Sequence, residues 1–258
     1  PSTQRRGYRL YYQSLEHLYS QQTLSSSLRL TYRNPLELFF TYLHLSYNYT
    51  TRGYYRDYTY SLDRTVSIPI DSTHHRQTFS AAGVVDKSIA PLGLSLHAEL
   101  RYSHSSYISS QAQRVYQIQS DLLVPSLTMT CNKLSPLELA YTFELSSLWI
   151  HHPLTKLRPV LSLRESFEAG LPLGDRWLLG LQVVHSMNEV APRAYKHTFF
   201  GDLDAAWTVS KRIKLTARLA NLWGQTSYRV TRLSATDISS FAVPLRPREL
   251  IVTATLRI

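Results

Sequence analysis

The chain has 258 residues, 43% of them hydrophobic and 18% charged, with a mean hydropathy of −0.21. No stretch approaches the roughly 18 uninterrupted apolar residues of a helical membrane span. The single cysteine, Cys131, excludes an intramolecular disulfide framework and a cysteine zinc site. The formal net charge of +10 is spread along the chain, not gathered on one segment, which argues against a nucleic-acid footprint.

Residues 1–22 alternate briefly at Tyr8, Leu10 and Tyr12 and then lose the period, so they read as a polar arm or partial strand. No apolar leader core follows Pro1, and the start reads as a mature chain or a fragment cut through a loop. From Leu24 the pattern is regular. Leu28, Leu30 and Tyr32 alternate with Arg29, Thr31 and Arg33, then Asn34-Pro35-Leu36-Glu37 turns the chain. The return strand sets Phe39, Leu43, Leu45 and Tyr47 against Tyr42, His44, Ser46 and Asn48.

The same device recurs at Ala90-Pro91-Leu92-Gly93, Ser135-Pro136-Leu137-Glu138, Leu171-Pro172-Leu173-Gly174, Ser210-Lys211-Arg212 and Leu245-Arg246-Pro247-Arg248-Glu249. Each precedes an alternating strand. Leu139, Tyr141, Phe143 and Leu145 oppose Ala140, Thr142, Glu144 and Ser146; Ile213, Leu215, Ala217 and Leu219 oppose Lys214, Thr216, Arg218 and Ala220. In the last strand Leu250, Val252, Ala254, Leu256 and Ile258 oppose Ile251, Thr253, Thr255 and Arg257. About ten such residues, tilted by about 45°, rise about 24 Å, the height of an outer-membrane apolar band.

The turns recur about every forty residues, as in a hairpin repeat. All six are expected at one end, with longer polar connections (50–75, 104–113, 150–156, 188–194 and 223–240) at the other. Around Pro125 the apolar parity changes from Leu122 and Val124 to Leu127, Met129 and Cys131, which predicts a bulge. The fold class expected is all-β: an antiparallel up-and-down transmembrane β-barrel of about 12–14 strands, part of a larger barrel. Residues 23–258 form that barrel region.

Chemistry is sparse. His74-His75 and His151-His152 lie in presumed loops, and no regular carboxylate or cysteine set completes a metal site. His44 with Ser46, and His104 with Ser106, have the spacing of a base and nucleophile on one strand face, but no third member shows in the sequence. No enzyme activity, cofactor or metal is therefore expected. Glu138, Glu144, Asp202 and Asp204 fall on the inward parity with Arg101, Arg164, Lys214 and Arg218, as wall-stiffening ion pairs or contacts to a plug. Trp149, Trp177, Trp207 and Trp223 read as interface girdle.

With the turns placed, Leu28-Arg-Leu-Thr-Tyr-Arg-Asn-Pro-Leu-Glu37, Asn221-Leu-Trp-Gly224 and the final Arg246-Pro-Arg-Glu-Leu250 with Leu256-Arg-Ile258 resemble elements of TonB-dependent receptor barrels of the Bacteroidetes type. Those barrels more often close on an aromatic residue than on one like Ile258. The resemblance implies the C-terminal part of a receptor barrel for energised uptake of a metal chelate, glycan or peptide. It further implies a plug domain and TonB system beyond these residues, outer-membrane lipid and lipopolysaccharide around the wall, and insertion by the barrel assembly machinery. The alternative is a stand-alone barrel acting as passive channel, adhesin or secretion pore. Both readings place the protein in the cell outer membrane and give it no nucleic-acid partner.

Overall fold

The computed structural model describes residues 3–7, 10–13, 21–60, 65–111, 114–154, 159–191, 193–233 and 238–256. Its strands are β1 (Thr3–Gly7), β2 (Leu10–Gln13), β3 (Gln22–Asn34), β4 (Phe39–Tyr60), β5 (Thr65–Ile89), β6 (Leu94–Gln111), β7 (Arg114–Cys131) and β8 (Glu138–His151). They continue as β9 (Val160–Leu173), β10 (Trp177–Ala191), β11 (Ala194–Thr208), β12 (Ile213–Ala220), β13 (Ser227–Leu233), β14 (Ile238–Pro244) and β15 (Glu249–Leu256). The only helical element among the described residues is one 3-10 turn, Ala90–Leu92.

The strands from β3 to β12 pair each with the next in antiparallel fashion, and β15 completes the meander against β12. With β1 and β2, where β2 adds to β5 in parallel over Leu10–Tyr12, the sheet has 13 strands; β13 and β14 form a separate hairpin. This is the fold of an antiparallel up-and-down transmembrane β-barrel. Its wall stays open among the described residues: β3 pairs only with β4, and β15 only with β12.

Five short turns, at 35–38, 90–93, 132–137, 174–176 and 209–212, lie at one end of the sheet, as alternation and turn chemistry predict. In the first, Leu38 takes φ 50° as its N–H bonds to the Pro35 carbonyl at 3.2 Å. In the second, Gly93 takes φ +56°, and an added Cβ would meet the Lys133 backbone nitrogen at 2.8 Å, so the position admits only glycine without a shift.

The sixth turn is different. Glu249 pairs with Ala220 and Leu256 with Ile213, so residues 245–248 lie at the opposite end, and β15 runs back toward the short turns. The expectation of six turns at one end fails here because the connection from β12 to β15 spans the whole of 221–248 and carries β13–β14. The 50–75 connection alternates in sequence and is continued strand as that alternation predicts, β4 to Tyr60 and β5 from Thr65, whereas 104–113 and 188–194, expected as loops, are largely strand, β6 through Gln111 and β10 through Ala191. The predicted bulge at Pro125 is also absent. Leu100 pairs with Pro125 in unbroken register, and the shifts in the long ladders fall instead at Thr51/Gly53 and Glu189/Ala191. Leu122 and Val124 simply keep the inward parity as apolar residues. Tyr8, Arg257 and Ile258 lie outside the described residues.

Cross-strand register divides the wall cleanly. One face carries Leu30, Leu43, Gly83, Leu100 and Pro125 as successive neighbours, and likewise Leu181, Leu203, Leu219 and Leu250. These residues are open to the surroundings: Leu100 is 52% exposed and Val252 67%. On the other face Val84, Val124 and Val184 are at most 9% exposed. A soluble sheet buries its apolar face; here that face is the outer one, which is the signature of a lipid-facing wall.

Candidate functional site: the inward wall and its mouth

The charged wall residues expected from the sequence, Arg101, Glu138, Glu144, Arg164, Asp202, Asp204, Lys214 and Arg218, all lie on the inward face, because all share the parity opposite to the apolar belt. They do not form one cluster. Arg101 on β6 reaches Glu99 at 3.6 Å and, two strands away, Glu144 on β8 at 3.4 Å. Between them lies Val124, the cross-strand partner of Arg101. The bridge thus roofs an apolar-floored concavity of 370 Å³ lined by His44, Ala82, Val124 and Ser146. Arg164 is the partner of Glu144 across β8–β9 but is exposed and makes no ion pair among the described residues.

A second group surrounds Arg218 on β12. Its Nη2 donates to Asp202 Oδ2 at 2.5 Å, and its Nε lies 3.8 Å from Asp204. Farther round the wall, Asp204, Glu138 and Glu168 line a concavity of 410 Å³. Its floor is Ala140, Gly170 and Gly180, where the absence of side chains makes the hollow. Gly180 faces Asp204 directly, and Glu168 accepts a bond from Gln182 at 2.9 Å. Lys214 stands apart near the short turns, between Thr208 and Thr255. The sequence reading missed Glu168 and Gln182 in this group, although their inward parity was available.

Three further inward contacts were not anticipated. Asp86 meets His97 at 2.5 Å, and Arg29 and Arg33 lie over the Tyr42 and Phe40 rings at 4.5 and 5.0 Å. These arginines have planar cations that rest on aromatic faces, with no carboxylate partner among the described residues.

Among the polar groups on the outward parity are two clusters of carboxylate and histidine. Asp121 accepts from Tyr102 at 2.7 Å and lies 2.8 Å from His104, with His151 at 3.4 Å. Glu165 accepts from Tyr141 at 2.7 Å and lies 2.8 Å from His185, which in turn is 3.0 Å from His197. The carboxylates sit eight to ten residues up from the short turns, about 20–24 Å, the height at which an apolar band gives way to headgroups. Asp121 is the third group that the His104–Ser106 spacing lacked in sequence. Yet Ser106 is buried and its hydroxyl takes a bond from Gln117 at 3.0 Å, and the described bonds of His104 do not include Ser106. His75 stacks on Tyr49 and His152 lies against Tyr116; no three His, Cys, Asp or Glu groups among the described residues are arranged to hold a metal ion. At the short-turn end Trp177 and Trp207 stack at 5.2 Å on the outward parity, as girdle residues do.

At the other end, Asn221 ties the last connection together. It takes φ 56°, which asparagine tolerates better than most residues. Its Nδ2 donates to the Gln225 and Arg246 carbonyls at 2.8 and 2.9 Å, and its Oδ1 accepts from Gln225 N–H at 2.9 Å. Arg248 donates to the Leu222 carbonyl at 2.6 Å. The Asn221-Leu-Trp-Gly224 element is therefore a knot joining the exit from β12 to the entry to β15.

No protein-family model and no curated protein matches the chain. Among solved structures it is similar to the translocator domain of the autotransporter NalP from Neisseria meningitidis, with 11% identity and a TM-score of 0.31, covering 92% of this chain and 80% of that one. The chain has the antiparallel up-and-down fold and the two-faced wall of a transmembrane β-barrel.

Proposed function

We propose that the chain forms the wall of an outer-membrane passage for polar solutes or an extended polypeptide, a channel or secretion pore with no catalytic step. The observation that supports this best is the division of the sheet. An outward face that is apolar from the short turns up to the Asp121 and Glu165 clusters suits lipid, and the opposite face offers carboxylates, guanidinium groups, hydroxyls and side-chain-free hollows to water. Lipid and lipopolysaccharide are the surroundings this implies, and the barrel assembly machinery the route of insertion. Energised uptake through a TonB-dependent receptor rests on the short sequence elements alone, and would require a plug against the same inward residues.

Thiol accessibility tests the reading. In a Cys131→Ser background, single cysteines at Thr142 and Glu144 are placed in the protein in the outer membrane of whole cells. They should react with membrane-impermeant thiol reagents of graded size, while cysteine at Leu127, on the lipid face, should not. Protection of both inward positions, together with reaction only when the inner membrane is energised, would instead favour a plugged receptor.

A further inference from the structure

The β13–β14 hairpin does not stand away from the barrel. Tyr228 on β13 places its hydroxyl 2.8 Å from Asn188 Nδ2 and 3.3 Å from Ser186 Oγ, both on β10. Its ring meets Phe200 of β11 edge-on at 5.8 Å. Thr231 donates to the Glu189 carbonyl. Ser186, Asn188 and Phe200 share the inward parity of Val184, Gln182 and Asp202. The hairpin has therefore folded into the mouth, against the inner wall.

Burial agrees. Val184, Ser186, Asn188 and Thr198, at and beside the Tyr228 contact, are each at most 9% exposed. Thr198 is 1% exposed, and its hydroxyl has no hydrogen-bond partner among the described residues. The hairpin is also held at its base, where Leu245 N–H bonds to the Thr226 carbonyl at 3.0 Å and the Asn221 side chain spans Gln225 and Arg246.

Two cations stand at this point. Lys196 is exposed and is the cross-strand partner of Asn188, the residue that binds Tyr228. Arg229, next to Tyr228, is exposed and has no carboxylate partner among the described residues. Deeper in the wall, the hollow around Glu138, Glu168 and Asp204 has the opposite sign. A charge at a narrowing acts on every solute that passes, because the low-dielectric wall focuses its field.

We propose that β13–β14 is an inward-folded constriction that sets the size limit of the mouth, and that Lys196 and Arg229 make it select anionic solutes. The charge preference rests on the passage reading above; the inward fold does not.

The test uses Thr198→Cys in the full Cys131→Ser protein in the outer membrane, with its rate of reaction toward a small impermeant thiol reagent. That rate should be low. It should rise by about tenfold or more when residues 227–244 are replaced by a short Gly-Ser link, and also in the full-length Tyr228→Ala/Thr231→Ala variant, which serves if the deletion fails to insert. A rate already high with the hairpin intact, or unmoved by both changes, overturns the constriction, even where Thr142→Cys is accessible and the passage reading stands. Conversely, release at Thr198 with Thr142→Cys still protected supports the inward fold and defeats the passage. For charge, the ratio of anionic to cationic reagent rates at Thr142→Cys should fall about tenfold in Lys196→Glu/Arg229→Glu, an effect that shrinks at high salt. An unchanged ratio removes the selectivity.

Discussion

Arg218 on β12 reaches diagonally across the inward side to Asp202 on β11, Nη2 to Oδ2 at 2.5 Å, and the other oxygen of Asp202 accepts the Asn221 backbone N–H at 3.0 Å. One carboxylate thus fixes both the strand pair and the residue that opens the last connection. Its second role is the more specific, because Asn221 sits at positive φ where few residues are comfortable.

Asn221→Ala removes three side-chain hydrogen bonds and places a less tolerant residue in the left-handed region. We expect a loss of about 2–4 kcal/mol in urea unfolding from lipid vesicles. Asn221→Gly, which relieves the backbone but not the lost bonds, should cost measurably less. Equal losses for the two would show that the conformation at 221 is not under strain.

The alternation was legible in the sequence because period two is a local property, and it fixed the face of every site residue. What was not legible was non-local. Leu245–Glu249 carries a proline before an alternating strand, as four of the five short turns do, and only the pairing of Glu249 with Ala220 reveals that it lies at the other end. Pro125 looked like a bulge because Leu122 and Val124 are apolar, and alternation cannot tell an apolar inward residue under Arg101 from a change of parity. Asp121 escaped pairing with His104 because the two are brought together by the β6–β7 register, not by any spacing along the chain. The inward fold of β13–β14 left no periodic signal at all.

Trp223 packs over Gly201 on the outward side, and a Cβ built at 201 would fall 2.0 Å from its ring. Gly201→Ala must therefore push the half-exposed indole off the wall. Tryptophan fluorescence should red-shift, with a loss on the order of 1 kcal/mol in the same unfolding titration. An unchanged spectrum would mean that the indole does not rest there in the membrane.

The assignment of faces predicts unequal costs for a charge on neighbouring residues. Tyr141 is a poor test site, since its hydroxyl already reaches Glu165 and an arginine there would gain an ion pair. Leu127, flanked by Ala98 and Phe143, is better placed, and Thr128 next to it faces Thr142 on the inner side. Leu127→Arg should cost about 2–4 kcal/mol near the midplane, and Thr128→Arg much less. Similar costs would mean that the faces have been exchanged.

The last prediction concerns the two free edges. β3 runs from the mouth toward the short turns, ending at Asn34 before the 35–38 turn. β15 runs the same way, from Glu249 beside Ala220 to Leu256 beside Ile213. Zipping β3 directly to β15 would therefore make a parallel step in an otherwise antiparallel meander, whereas an upward strand between them would be antiparallel to both. Bacterial single-chain barrels have even strand numbers, which excludes a parallel seam, and free N–H and C=O groups along either edge are not tolerated in hydrocarbon. We therefore expect no direct contact. In a Cys131→Ser background, Leu30→Cys paired with cysteine at Leu250, Val252, Ala254 or Leu256 should fail to form a disulfide under oxidation. Leu30→Cys with Leu43→Cys, true cross-strand neighbours, should form it readily. A seam with one strand between would hold the edge backbones about 9–10 Å apart, beyond the Cα separation that a disulfide spans. If any β3–β15 pair oxidises as fast as the control, the eleven strands of the meander close on themselves in parallel.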